Sequence, residues 1–322
     1  MKPLIWIIDE EWPDYDIEKQ MLEEAFPGCE IRFSGNDYQK DLEDFGKDAD
    51  AIVSQIYVYI PKETIEKLNQ CKIIAVYGGG YDRVDYPFAK TRGIPVTNVQ
   101  GYCAEDLADY VMAAIYGTNK QLKGFDEKIE KGVWGAMAID RQPRRISSST
   151  LHIIGFGTIG RVVGTKAKAL GMKVTAYDPY VDKETVSSYG VEKVDWEEGL
   201  RNADFVSLNP IYNKDTDSLV SYEAFRLMKP TATLINTSRG RVVNEPDLVR
   251  AVKEGLIAGA VVDVIAHEPP DGSEEVLHCP GIVVTPHVSY ISVESFADLK
   301  QKAVGNVIKA LTGQQPNDVV NP

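Results

Sequence analysis

The chain has no long apolar run. Its most hydrophobic opening stretch is LIWII, from Leu4 to Ile8, and Asp9, Glu10 and Glu11 follow at once. Such a stretch is too short for a secretory signal or a membrane-spanning helix, so a cytoplasmic protein is expected. Cysteine is scarce. Cys29, Cys71, Cys103 and Cys279 are scattered, with no CxxC, which points to reduced thiols rather than to a disulfide framework or a metal site. Histidine is equally sparse, and His152, His267, His278 and His287 show no ligand spacing such as HExxH, so no metal is expected. Positive charge is in deficit: 35 Lys and Arg face 48 Asp and Glu, for a net charge of -13. Nucleic acid and anionic membrane surfaces both require a basic footprint, and both are excluded as expected partners.

What remains is an ordinary globular composition, 43% hydrophobic and 26% charged. At 322 residues the chain exceeds what one core usually holds, so two domains are expected. Strand-like and helix-like segments alternate nearly throughout. PLIWIID, CEIRFS, DAIVSQ, KIIAVYG and IPVTN read as short strands bounded by turn residues. IEKQMLEEAF, ETIEKLN and Pro87–Thr91 fit helices between them. A longer helix is expected over AEDLADYVMAAIY, and RQPRRISSST then reads as a surface connection. The alternation restarts with LHIIG and runs through KVTAYD, ADFVSLN, TATLIN, a helix from Glu245 to Glu254, AGAVVDV and GIVVTPH. The last segment, SVESFADLKQKAVGNVIKAL, is one amphipathic helix. This is the pattern of parallel sheets covered by helices, an α/β fold in two units.

LHIIGFGTIGRVV holds Gly155, Gly157 and Gly160 in a GxGxxG between a strand and a helix. The first glycine allows the tight turn, the second lets a pyrophosphate approach the backbone, and the third lets helix and strand pack closely. The helix N-terminus, beginning at Thr158 and Ile159, offers N–H groups and a positive dipole to the phosphates. Asp178 ends the next strand, where an acid hydrogen-bonds the adenosine ribose and repels a 2′-phosphate. NAD is therefore the expected cofactor.

LINTSRGRVVNE places Arg239 just beyond an apolar strand. Asp263 ends AGAVVD, Glu268 lies in the loop after it, and His287 follows GIVVTP. Each alone has an ordinary explanation: an ion pair, a surface acid, a loop histidine. Together they emerge at the carboxyl ends of successive strands, where ligands bind in such folds. A guanidinium fork suits a substrate carboxylate. A histidine suits delivery of a proton to a keto oxygen, and a neighbouring carboxylate favours its imidazolium.

GFGTIGR, AYDP, NTSRG, VVDV, EP and TPH, in that order, resemble the D-isomer-specific 2-hydroxyacid dehydrogenase family, and GGGYDRVD resembles its substrate loop. The resemblance implies two Rossmann-like doubly wound parallel-sheet domains with the active site in the cleft between them. A substrate-binding domain would span 1–100, completed by 291–322, and an NAD-binding domain 101–290. Arg239 would bind and polarise the keto acid, Glu268 would pair with His287, and His287 would be the acid/base. Asp263 would hold the nicotinamide carboxamide and Arg161 would lie near the pyrophosphate. Backbone N–H groups around Gly79 and Gly80 would help hold the substrate carboxylate. The implied reaction is reversible NADH-dependent reduction of a small 2-keto acid to a D-2-hydroxy acid, in a homodimer formed through the NAD-binding domain. Asn209-Pro210-Ile211 departs from the His and Pro common after the equivalent strand. YCAEDLADYVMAAI and TPHVSYISVES resemble the branch that includes the C-terminal-binding-protein corepressors, with Asp109 and Tyr290 at matching positions. That branch supplies the alternative, a nucleotide-gated binding protein with little turnover. Tyr57, Tyr59 and Tyr81, with Tyr290, are the candidate pocket walls, and would suit a larger or aromatic keto acid if they line the site.

Overall fold

A computed structural model describes residues 2–322. The chain divides into two compact units, Met1–Tyr102 with Ser292–Pro322, and Cys103–Ile291. The first unit is built on β1 (Leu4–Ile8), β2 (Glu30–Ser34), β3 (Ala51–Gln55), β4 (Ile74–Tyr77) and β5 (Val96–Thr97), in the order β2-β1-β3-β4-β5. The pairings among these strands are all parallel. The order reverses between β1 and β3, the switch point of a doubly wound sheet. Trp6 anchors this core, fully buried and edge-on to Tyr38 and Phe45. The last helix, Val293–Leu311, opens on a capping box of Ser292 and Ser295 and packs against helix Asp16–Ala25 of the same unit.

The second unit carries β6 (Thr150–Ile154), β7 (Lys173–Tyr177), β8 (Glu192–Lys193), β9 (Phe205–Leu208), β10 (Thr233–Asn236), β11 (Gly259–Val262) and β12 (Ile282–Val284). They form one parallel sheet in the order β12-β11-β10-β9-β6-β7-β8. Its central strands β9, β10 and β11 are buried at every residue, which is why they read as continuous apolar runs rather than alternating ones. The reversal falls between β6 and β9, so the crevice of this sheet opens beside the loop after β6. Several parts of this unit lie outside the sequence expectation, among them the short helices Tyr222–Leu227 and Glu275–His278. The two-residue strand β8 pairs with β7, and helix Phe125–Glu130 with the 3-10 turn Gly135–Ala138 lies between the helix Ala104–Asn119 and β6. Among the described residues, no helix is long and apolar enough to cross a membrane.

Candidate active site

The loop after β6 is shaped by its glycines. Gly155 has φ +88°, and an ideal Cβ there would lie 2.7 Å from the backbone of Asn209 and Pro210, which leave β9 across the switch point. A Cβ on Gly160 would overlap the Gly155 carbonyl, so the helix Thr158–Ala169 seats directly on the turn. Above Gly157 there is open space: nothing lies within 4 Å of its ideal Cβ. No side chain caps this helix, so the N–H groups of its first turn, at Thr158 and Ile159, are left for an anion. The cradle fits a dinucleotide pyrophosphate. Arg161 is half-buried beside this loop. Its Nε donates to the Phe156 carbonyl (3.2 Å), and its guanidinium lies over the Tyr189 ring.

Asp178 stands just after β7 and is 9% exposed. Its Oδ2 accepts the Phe156 N–H at 2.8 Å, and its Oδ1 accepts those of Tyr180 (2.8 Å) and Val181 (3.2 Å). One carboxylate thus ties the glycine loop to the turn after β7.

Arg239 follows β10. Asn236 shapes its turn: Oδ1 accepts the Ser238 N–H and hydroxyl, and Nδ2 donates to the Arg239 carbonyl at 2.9 Å. The Arg239 Nη1 donates to the Ser238 carbonyl at 2.9 Å. Behind it, Gly240 packs against the Ile265–Ala266 backbone so tightly that a Cβ would overlap it. The arginine loop and the loop bearing Glu268 are thereby locked together.

Glu268 and His287 form the centre of the candidate site. Oε2 of Glu268 lies 3.1 Å from His287 Nδ1, with the two side chains 14% and 13% exposed. Oε1 accepts the Ile265 N–H at 3.1 Å. Burial alone would raise the Glu268 carboxyl. The hydrogen bond and charge of His287, the Ile265 amide and the Arg239 guanidinium outweigh it and hold the group below the usual carboxylate range. His287 has φ +55°, in the left-handed region, and the Tyr290 ring stands edge-on to it at 6.1 Å. Glu245, whose Oε1 accepts the Ala266 N–H at 2.5 Å, is pushed upward by its own burial.

Asp263 is 1% exposed and accepts the Val288 N–H, the Ser289 N–H and the Thr285 hydroxyl from the turn after β12. Arg239, Asp263, Glu268, His287 and Tyr290 all belong to the second unit. Tyr57, Gly79 and Gly80 belong to the first. There Gly79 is exposed after β4, and Asn98 Nδ2 donates to its carbonyl at 2.7 Å, which turns the following N–H to the opposite side. The Arg83 guanidinium lies over the Tyr57 ring, Tyr59 is 65% exposed, and Tyr81 stands edge-on to Tyr86. Asn98, Tyr110 and Thr285 were not singled out from sequence. Asn98 sits in IPVTN, where a polar residue ending a strand carries no distinguishing signal.

A glycine cradle at the switch point of a parallel sheet, with a histidine–carboxylate pair on the same sheet edge, marks an NAD-type oxidoreductase domain. Residues 112–289 match the model of the D-isomer specific 2-hydroxyacid dehydrogenase NAD binding domain, and the chain belongs to that family. A glyoxylate reductase of Korarchaeum cryptofilum is 33% identical over 100% of this chain and 96% of its own length. A glyoxylate reductase of Thermococcus litoralis is 34% identical over 85% of this chain and 84% of its own. Among solved structures, D-lactate dehydrogenase from Aquifex aeolicus, complexed with NAD and lactic acid, aligns with a TM-score of 0.87 at 26% identity, covering 99% of each chain.

Proposed function

We propose that this protein uses NADH to reduce a small 2-keto acid, glyoxylate or a close homologue, to the 2-hydroxy acid, with Arg239, Glu268 and His287 as its working residues. The observation that carries the proposal is the shielded contact of 3.1 Å between Glu268 and His287, beside the Arg239 loop and on the dinucleotide edge of the sheet. The reduced nicotinamide supplies the hydride. Arg239 holds the substrate carboxylate and polarises the keto oxygen with its fixed fork of donors. His287 keeps Nδ1 toward Glu268 and delivers the proton from Nε2 to the keto oxygen as it becomes a hydroxyl. Glu268 favours the imidazolium before transfer and fixes the ring's orientation. Backbone N–H groups around Gly79 and Gly80, with Tyr57, are the first unit's candidates for holding a substrate carboxylate, and Asp178 selects NADH over NADPH.

The relatives are named for catalysis, which favours an enzyme over a nucleotide-gated binding module. Leu122, Ile129, Trp134 and Met137 are 62%, 53%, 78% and 86% exposed on the segment around helix Phe125–Glu130. An apolar set of this kind suits a second copy of the chain, so a homodimer through the NAD-binding domain is part of the proposal. Sedimentation of Trp134→Asp should show a monomer where the wild type is a dimer, and a monomeric wild type removes this part. The function itself is tested by NADH and NADPH oxidation against glyoxylate, hydroxypyruvate, pyruvate, branched-chain keto acids, oxaloacetate and phenylpyruvate. Turnover of the small acids with NADH is expected. Binding of NADH with no turnover of any acid would overturn the proposal.

A further inference from the structure

The turn that presents His287 is held by one buried carboxylate. Asp263 Oδ1 accepts the Val288 N–H at 3.0 Å and the Thr285 hydroxyl at 2.5 Å. Its Oδ2 accepts the Ser289 N–H at 2.9 Å, and its backbone carbonyl accepts the His287 N–H at 2.8 Å. His287 itself sits at φ +55°, a conformation that a side chain bearing a Cβ holds only where its surroundings over-determine it. The Thr285 hydroxyl has one proton, and that proton goes to Asp263. Its oxygen therefore accepts from the next partner, the Tyr110 hydroxyl, 2.5 Å away on helix Ala104–Asn119. Tyr110 is 175 positions from Thr285 and lies on none of the loops that carry Arg239, Glu268 or His287.

We propose that Tyr110 is a positioning residue for the reaction: through Thr285 and Asp263, its hydroxyl holds the Thr285–Ser289 turn in the one conformation that aims the His287 ring at Glu268. The proposal rests on the reading of His287 as proton donor. The groups that face this network are Glu268 at the ring, Arg239 acting on Glu268, Asp263 beneath the turn, Tyr110 behind Thr285, and the Tyr290 ring edge-on to His287. Burial keeps the Tyr110 phenol above its ordinary range, so it remains a donor through neutral pH. Asp263, at the end of β11, is thereby assigned the task of holding the turn that follows β12.

The test compares the full chain with Tyr110→Phe, Thr285→Ser and Thr285→Val. Tyr110→Phe keeps the ring and its packing and removes only the donor. Amide hydrogen exchange at Val288 and Ser289 should quicken about tenfold, the worth of one hydrogen bond. The kcat for keto-acid reduction should fall by a similar factor, with the KM for NADH unchanged and the melting temperature nearly so. Thr285→Ser, which keeps the hydroxyl, should behave as wild type, and Thr285→Val, which also removes the bond to Asp263, should show at least the Tyr110→Phe effect. Unchanged exchange and kcat in Tyr110→Phe would overturn the proposal. So would a loss of kcat that Thr285→Ser shares, or that tracks the melting temperature alone. If the wild type turned over no keto acid, the functional reading would fall, while the exchange rates would still decide whether Tyr110 holds the turn.

Discussion

Glu268→Gln removes one charge and almost no volume. In the wild type the carboxylate lies 3.1 Å from His287 Nδ1, and both side chains are largely shielded, at 14% and 13% exposed. Coulomb's law at an effective dielectric of about 20 sets an upper bound of roughly 5 kcal/mol for a full charge pair at that distance. Net values for hydrogen bonds to charged groups are about 1.5–3 kcal/mol, and this lower range applies because glutamine can still accept a hydrogen bond from Nδ1. At about 1.4 kcal/mol per factor of ten, losing that interaction should lower kcat/KM for keto-acid reduction roughly 10–100-fold. NADH absorbance at neutral pH reads this directly. No loss would remove it from the mechanism. The same substitution has a stability signature. An unfolded glutamate takes its proton near pH 4.3, while the folded Glu268 carboxyl is held lower. The stabilisation is complete above the unfolded value and is lost as pH falls through the folded one, so Glu268→Gln should flatten the acid limb of stability below about pH 5.

Three further outcomes are expected. Arg239→Lys should recover only part of the activity lost in Arg239→Ala, because a point charge cannot reproduce the planar fork; full recovery would reduce its role to charge alone. Asp178→Ala should narrow the preference for NADH over NADPH. It should also cost about 1–3 kcal/mol in urea unfolding, because three loop N–H groups lose their acceptor; a wild type that prefers NADPH would contradict the assignment. His152 is fully buried in β6, and burial pushes its imidazole down to about 4 from 6.5. Between those values the unfolded chain binds the proton and the folded chain does not, so stability is complete above pH 6.5 and declines by up to about 3 kcal/mol toward pH 4. His152→Gln should remove that slope in urea melts, and a slope unchanged by the substitution would refute the assignment.

The features legible in the sequence were those with a short-range physical signature. Strands β9 to β11 are buried on both faces and announce themselves as apolar runs. Gly155 and Gly160 sit where a Cβ would overlap backbone, and their spacing reads directly as a cradle. Arg239, Glu268 and His287 were singled out because each follows a strand of one parallel sheet, which carries them to the same edge. Strand β8 escaped notice because its two residues form a strand only by pairing with β7. The helix Phe125–Glu130 has no buried residue, and so no apolar stripe to betray it. Tyr110, Thr285 and Asn98 act through hydrogen bonds between distant positions, a geometry that leaves no periodicity. The aromatic wall drawn from Tyr57, Tyr59 and Tyr81 rested on position alone. In the structure one of these rings faces a guanidinium, one is largely exposed, and one packs on Tyr86.

The central claim is that His287 delivers the proton to a 2-keto acid reduced by NADH. It is tested most directly by glyoxylate-driven NADH oxidation in wild type and His287→Ala, with NADH affinity followed by fluorescence in the same samples. The expected result is a kcat lower by roughly 10²–10⁴, the usual contribution of a general acid, with NADH affinity unchanged. Equal turnover by the two proteins would contradict the account.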